Sequence, residues 1–214
     1  MTTTHDVTVD RSDARTGGRP SLWPGLLIVI AGTVFADGAF LTAAYRGASP
    51  VSDDRLSFPW SGATAVTTSV VWGTAQVLLT VGLVAFARSE AIAGRSGRRG
   101  AWVAVIGSAL YVVAHAVSIP FHEADLSDGG AMVALTLFGV GTLLTAVGMV
   151  VAGLDARRTK VWQGWHRVVP LWLGVWMLVM MPLQFTPLLV VAVGVYAALA
   201  IALGVAMVEE AVAP

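Results

Sequence analysis

Six long apolar segments follow one another along the chain, separated by short polar or charged stretches. Most of them approach or exceed the roughly 20 residues that an α-helix needs to cross the hydrocarbon core of a bilayer. They do not show the period-two alternation that is typical of a membrane β-barrel. We therefore predict six transmembrane helices, over residues 22–45, 63–87, 101–119, 131–154, 167–181 and 187–208.

The two ends of the chain differ from this transmembrane domain of residues 22–208. Residues 1–21 are polar and rich in Thr, and they lack apolar periodicity, which predicts a disordered tail. The apolar run that follows them is too long for the hydrophobic region of a cleaved signal peptide. Residues 209–214 are predicted to form a second, short tail.

The composition agrees with a membrane protein. Of 214 residues, 56% are hydrophobic and 12% are charged, whereas soluble domains carry about 25% charged residues. A soluble fold of this size could not bury so much apolar surface. The lipid bilayer is the expected partner, and the net charge of zero gives no reason to expect nucleic acid. The preference for Arg over Lys, with abundant Ala, Val and Gly, is typical of a GC-rich bacterial genome.

Basic residues predict the orientation of the helices. All Lys and Arg residues except Arg46 and Arg55 fall in the N-terminal tail or after the second and fourth segments. The positive-inside rule places that side in the cytoplasm. The predicted fold class is therefore an all-α integral membrane protein of the inner or plasma membrane, a six-transmembrane-helix bundle with both termini and both tails in the cytoplasm.

Small residues recur at four-residue spacing on two segments. On the fourth segment, Gly148 and Ala152 predict a notch that lets another helix approach closely. On the sixth segment a longer ridge comprises Gly194, Ala198, Ala202 and Ala206. We expect these residues to pack helices within one bundle, although a second copy of the chain or an unidentified membrane partner could also pack against it.

The third segment carries a polar stripe. Its members recur at gaps of three and four residues, which places them on one face of a helix. They are Ser108, Tyr111, His115, Ser118 and His122. Hydroxyl and imidazole groups are costly against lipid, so this face is predicted to look into protein or a water-filled space.

Two further polar residues, Asp37 and Gln76, lie within the first and second segments. Asp37 and His115 have about the same depth, roughly 20 Å from the basic side at 1.5 Å per residue. Contact between them would permit proton exchange, whereas the alternative is a hydrogen bond that only joins two helices. Gln76 could join this pair or form its own interhelical hydrogen bond. The predicted polar cavity is lined by Asp37, Gln76, Tyr111, His115, Ser118 and His122.

Patterns for metal binding, catalysis and cofactor binding are weak or missing. His122, Glu123 and Asp125 form a poor candidate metal site, because they would need a ligand from another loop. An exposed acidic loop is the simpler interpretation of these residues. There is no P-loop, HExxH or nucleophile-elbow motif, so no catalytic residue is predicted. No cofactor is predicted, because there is no Cys and His115 is the single His within the segments.

No motif identifies a family, and the specific function stays unknown at this level. We expect a polytopic membrane protein of the binding or accessory kind, with a small polar cavity in its outer half and no enzymatic activity. One alternative is a small proton- or solute-linked transporter that uses Asp37 and His115. The other alternative is a membrane enzyme or a haem- or metal-binding protein.

Overall fold

The structure, a computed structural model, describes residues 21–183 and 186–213. Within these ranges the regular secondary structure is helical, and strand-like pairing is limited to one isolated bridge between Arg55 and Asp125. The helices are α1 (Trp23–Arg46), α2 (Gly62–Arg88), α3 (Arg95–Ser118), α4 (Gly129–Thr159), α5 (Val169–Leu183, preceded by a 3₁₀ turn at His166–Val168) and α6 (Leu189–Val212). With that turn counted into α5, six helices are long and apolar enough to cross a membrane. This confirms the predicted all-helical, multi-pass architecture.

Some helices extend beyond the predicted apolar segments. α3 begins at Arg95, ahead of residue 101, and α4 continues to Thr159, past residue 154. The added turns carry charged residues, and at a membrane surface the backbone can continue its hydrogen bonding without apolar side chains. α6 continues to Val212, across most of the predicted C-terminal tail. Residues 1–20 of the predicted N-terminal tail lie outside the described residues.

The helices form a ring. Each helix packs against the next one along the chain, and α6 packs against α1. The end that contains residues 89–94 and 160–168 is called the arginine-rich end, because the arginines at the ends of α2 and α4 and at the start of α3 lie there. The end that contains residues 47–61 and 119–128 is called the acidic end, after the Asp and Glu side chains of those loops.

Large apolar side chains fill the ring toward the arginine-rich end. Those that are almost fully buried come from four helices: Ile28, Leu83, Phe86, Met149 and Leu203. The ring of buried Trp162 lies below them, 5.7 Å from the ring of Phe86. Because lipid chains are as apolar as these side chains, the favourable energy here comes from close packing and less from exclusion of water.

Glycines bring the backbones of three helix pairs together. A Cβ at Gly148 of α4 would lie 2.4 Å from the backbone nitrogen of Ala104 on α3. A Cβ at Gly153 of α4 would lie 2.3 Å from a backbone nitrogen of α5. Between α1 and α6, Gly25 and Gly204 face each other, and a Cβ on either would lie 2.6 Å from the carbonyl oxygen of the other. No larger side chain fits these gaps, so the three contacts depend on the absence of a Cβ.

Only part of the small-residue ridge predicted on α6 is buried in the bundle. Ala206 is buried, but Ala198 is exposed and a Cβ on Gly194 would meet no atom within 4 Å. The α6 face that contacts α1 instead contains Ala197 and Gly204. Four-residue spacing identifies a face of a helix, but it does not determine which of several faces turns toward a neighbour. The notch at Gly148 and Ala152 on α4 is buried as predicted.

Asp155 is a buried carboxylate. The predicted fourth segment ends at residue 154, so the prediction placed Asp155 in a loop. It lies near the end of α4, is 8% exposed, and accepts a hydrogen bond from the backbone N–H of Gly94 at 2.9 Å. A Cβ at Gly97 would lie 2.4 Å from the Asp155 side chain, so glycine leaves the room that the carboxylate occupies. The carboxylate satisfies one free N–H and meets the positive end of the α3 dipole.

Gly148→Ala should destabilise the protein by roughly 1–3 kcal/mol, because the new methyl group would press on the backbone of α3. Gly139→Ala on the same helix is the matched control, since a Cβ at Gly139 meets nothing within 4 Å. It should be neutral or stabilising by up to about 1 kcal/mol, because alanine favours a helix. Unfolding of both variants in detergent measures the difference. Equal stability of the two variants would contradict the close α3–α4 contact.

Candidate functional site

The ring is open inside toward the acidic end. A cavity of about 370 Å³ lies there between the helices. All six helices contribute to its wall, with Phe35, Trp72, His115, Phe138, Met180 and Tyr196 as one representative each. Its volume falls within the roughly 300–1,000 Å³ that is usual for small-molecule sites.

Aromatic rings form much of the wall. The ring of Phe35 lies 6.4 Å from that of Trp72, edge to face, and 5.9 Å from that of Tyr196. On the α3–α4 side, the Phe138 ring contacts the rings of Tyr111 at 5.6 Å and His115 at 5.0 Å. Such pairs hold one another in edge-to-face geometry. The cavity wall is thus largely apolar and aromatic in surface, with hydroxyl, amide and imidazole groups among the rings.

Gln76 reaches the inner end of the cavity and joins α2 to α3. Its side-chain Nε2 donates to the hydroxyl oxygen of Ser108 at 2.8 Å. The Thr80 hydroxyl lies 2.7 Å from that same Ser108 oxygen and also donates to the backbone carbonyl of Gln76 at 2.7 Å. Gln76 and Ser108 are both buried. The predicted interhelical hydrogen bond of Gln76 is therefore present, and its partner is Ser108.

Tyr111 links α3 to α4. Its hydroxyl is hydrogen-bonded to the hydroxyl of Thr142, which donates in turn to the backbone carbonyl of Phe138 at 2.8 Å. Both hydroxyl groups are therefore already paired within the protein. Tyr111 lines the cavity, but its polar atom is less available to a ligand than an unpaired one would be.

His115 is a polar side chain of the wall whose hydrogen-bonding groups are not used within the described residues. It is half-buried, and its Cβ would lie 3.3 Å from a Cβ placed on Gly73 of α2. Its imidazole makes no hydrogen bond to any residue that the structure describes. A neutral imidazole offers one donor and one acceptor, and leaving both unused inside a membrane is unfavourable. These nitrogens are therefore available to a molecule in the cavity.

Thr42 adds a second unused polar atom. Its hydroxyl oxygen is buried and has no hydrogen-bond partner within residues 21–183 and 186–213. Thr42 lines the same cavity from α1, near the acidic end. A buried hydroxyl without a partner costs free energy, so a bound molecule that paired with it would recover part of that cost.

Loops cover the cavity at the acidic end. Residues 56–60 of the α1–α2 loop form part of the wall. The Leu56 N–H donates to the carbonyl of Ala124 at 3.1 Å and ties this loop to the one between α3 and α4. The ring of Trp60 stacks on that of Tyr45 at 5.0 Å. The cover is thus anchored to the bundle and to the second loop.

Asp37 lies outside the cavity. It is exposed on α1, while Phe35 and Ala39 on the same helix are buried in the ring. No hydrogen bond or ion pair joins Asp37 to His115 in the part of the chain that the structure describes. The contact that their matched depth would permit is therefore not found among the described residues. Equal depth in a membrane does not fix the rotation of a helix, and Asp37 follows Phe35 by two residues, about 200° around the helix axis.

The two outermost residues of the polar stripe, Ser118 and His122, lie in different surroundings because α3 ends at Ser118. Ser118 lines the cavity, and its hydroxyl donates to the carbonyl of His115 at 2.8 Å. His122 lies beyond it, with Nδ1 2.8 Å from the carbonyl oxygen of Ile119 and Nε2 3.7 Å from a carboxylate oxygen of Glu123. Asp125 pairs instead with the α1–α2 loop. Among the described residues, His, Asp and Glu side chains form no group of three that could hold a metal ion.

The structure therefore brings Gln76, Tyr111, His115 and Ser118 into one wall, and it leaves Asp37 and His122 outside. Two aromatic members of the cavity wall, Trp72 and Tyr196, were missed by sequence analysis. Apolar and aromatic residues in a membrane span are normally assigned to core or lipid contact. The available signal was their position, because Trp and Tyr are enriched at membrane surfaces while these two lie well inside their helices.

Gln76→Leu should lower stability by roughly 0.6–1.7 kcal/mol, the range measured for hydrogen bonds between membrane helices. Thr74→Val is the matched control, because the Thr74 hydroxyl is exposed and bonds only to the carbonyl of Val70 in its own helix. Denaturation of both variants in mixed detergent micelles gives the comparison. A Gln76→Leu loss no larger than that of Thr74→Val would show that the α2–α3 hydrogen bond does not contribute.

Comparison of the chain with family models, with curated proteins and with solved structures gave no match. The cavity combines an apolar aromatic wall, paired polar groups at the inner end, and the imidazole of His115, which has no hydrogen-bond partner among the described residues.

Proposed function

We propose that the protein is a membrane-embedded binding protein whose ligand is a small, largely apolar molecule held in the cavity near the acidic end. The supporting observation is the pairing pattern inside that cavity. Tyr111, Gln76 and Ser118 use their polar groups to join helices or bind backbone, whereas the His115 ring nitrogens have no partner among the described residues. A ligand that hydrogen-bonds to His115 would satisfy a group that the fold leaves unpaired.

The walls indicate the chemistry of the ligand. Flat aromatic rings on α1, α2 and α6 favour a ring-bearing molecule that can pack edge to face or offset against them. His115 and Thr42 favour a carbonyl, hydroxyl or ring nitrogen on the part of the ligand that faces them. Binding sites of this kind combine a mainly apolar surface with a few polar groups that fix orientation.

A binding role fits the arrangement better than a proton-linked transporter. The transporter hypothesis joins Asp37 to His115 along one path, and Asp37 lies on an exposed face of α1 outside the cavity. A proton relay needs its ionisable groups in contact or joined by water in one cavity. His115 alone provides a hydrogen bond for a ligand, and this is the role that we assign to it.

The proposed location is the cell membrane of a bacterium, with the arginine-rich end and both termini in the cytoplasm. The positive-inside rule supports this orientation, since most of the described basic residues lie in the connections after α2 and α4 or in the helix turns next to them. The cavity then lies in the outer half of the membrane, and its covering loops face outward. A ligand would reach it from the outer side or from the outer leaflet.

The binding proposal predicts saturable binding of a ring-bearing probe. We choose 1,4-naphthoquinone, because its carbonyl groups accept hydrogen bonds and it quenches tryptophan fluorescence, and Trp60 and Trp72 line the cavity. His115→Phe keeps a ring but removes both hydrogen-bonding atoms. It should weaken binding roughly 3- to 10-fold, the loss expected for one hydrogen bond.

His122→Phe is the matched control, because it makes the same substitution on a histidine outside the cavity. It should leave the affinity unchanged, and Ser69→Phe should abolish saturable binding by placing a ring in the cavity. Fluorescence titrations of the purified proteins in one detergent give all four affinities. The proposal fails if the original protein shows no saturable binding, or if the two histidine variants bind equally well.

The orientation is tested by labelling, because the chain contains no Cys. Ser127→Cys introduces a thiol in an exposed position at the acidic end, and Gln163→Cys introduces one at the arginine-rich end. In intact cells, a membrane-impermeant maleimide should label Ser127→Cys alone, and both variants should react after the cells are broken. Labelling of Gln163→Cys alone in intact cells would reverse the proposed orientation.

A further inference from the structure

A second concave site lies at the opposite end of the bundle, on the first two turns of α3. Arg95, Arg98, Arg99 and Trp102 follow one another at gaps of three, one and three residues, which places them on one face of the helix. With the preceding residues 93 and 94 they line a pocket of about 320 Å³. The three arginines are exposed, so their guanidinium groups are accessible.

The position of these arginines is electrostatically unfavourable for the isolated helix. The N-terminus of a helix carries a partial positive charge, so anions stabilise it and cations belong at the C-terminus. α2 and α4 follow this rule, with Arg88 and Arg157 in their last turns. α3 departs from it, since Arg95, Arg98 and Arg99 lie in its first two turns. Arginines spaced three and four residues apart on one helix also repel each other.

The described residues do not neutralise this charge on the exposed side. Within residues 21–183 and 186–213, the ion pairs are His122–Glu123 and His166–Glu209, and neither involves these arginines. Asp155 meets the same helix end from the buried side, where it accepts the Gly94 N–H. Arg88 adds a further positive charge, with its guanidinium carbon 5.6 Å from the centre of the Trp102 ring.

We propose that this pocket binds the phosphate group of an anionic phospholipid. Guanidinium groups bind phosphate oxygens through paired hydrogen bonds, and the positive helix end strengthens the attraction. The pocket also lies at the depth of lipid head groups, because the apolar part of α3 begins directly after Arg99 and Gly100. The site is independent of the ligand proposed for the cavity at the acidic end.

The surface next to the pocket distinguishes a lipid from free phosphate. Beyond Trp102, the outward side of α3 continues with Ile106, which is 55% exposed, and Val113, which is 48% exposed. This apolar strip leads from the arginines toward the middle of the membrane, as a lipid chain does. Free phosphate would make no contact with this apolar strip, whereas a lipid chain would, so a lipid fits the site better.

The test compares two triple variants of the full chain that each remove three positive charges from the same end. One is Arg95→Gln/Arg98→Gln/Arg99→Gln, and the matched control is Arg157→Gln/Arg158→Gln/Lys160→Gln. Each purified protein, in a neutral detergent, is titrated with short-chain phosphatidylglycerol, with phosphatidylcholine of the same chain length, and with inorganic phosphate. The shift of the thermal unfolding midpoint gives the affinity.

We expect phosphatidylglycerol to stabilise the original protein and the control, and phosphatidylcholine to have little effect. The α3 triple variant should bind phosphatidylglycerol on the order of 100-fold more weakly, from about fivefold for each arginine lost. If that variant does not fold, Arg99→Gln alone should show the fivefold loss. Equal losses in the α3 variant and the control would overturn the site, and inorganic phosphate that matches phosphatidylglycerol would overturn the lipid as its occupant.

Discussion

Close backbone contact at glycines is the constraint on which the bundle depends. Three helix pairs, α3–α4, α4–α5 and α1–α6, approach so closely that a single added methyl group would collide with backbone atoms. In a membrane no water is expelled when helices meet, so van der Waals contact must hold them together, and it is strongest where backbones touch. These pairs involve every helix except α2, which completes the ring between α1 and α3.

A ring of six helices has an interior, and the two halves of this interior are used differently. Toward the arginine-rich end it is filled by large apolar side chains such as Phe86 and Met149. Toward the acidic end the helices stay joined by hydrogen bonds at its wall, such as Gln76 to Ser108, and the space between them is left as a cavity. Hydrogen bonds between polar groups thus join the helices, whereas His115 and Thr42 are polar side chains of the cavity wall that have no side-chain partner within the described chain.

The sequence predicts properties of a single helix, such as its length and which of its residues share a face. Hydrophobic length gave the number of helices, and the three-and-four spacing on α3 correctly grouped Tyr111, His115 and Ser118 on one wall. The rotation of each helix relative to its neighbours, and therefore the contacts between helices, could not be predicted. Asp37 turns away from the ring although its depth matches that of His115, and α6 packs through Gly204 and not through the ridge that begins at Gly194. The aromatic wall was missed for the same reason, because its members come from separate helices.

We propose that the cavity at the acidic end holds a ligand that hydrogen-bonds to His115. An experimental structure of the protein, taken from its own membrane in polymer-bounded native lipid without detergent, would test this most directly. We expect discrete non-protein density between His115, Trp72 and Tyr196, with one atom about 2.7–3.2 Å from a ring nitrogen of His115. A cavity closed by protein side chains, or a His115 imidazole paired with another residue of the chain, would contradict it.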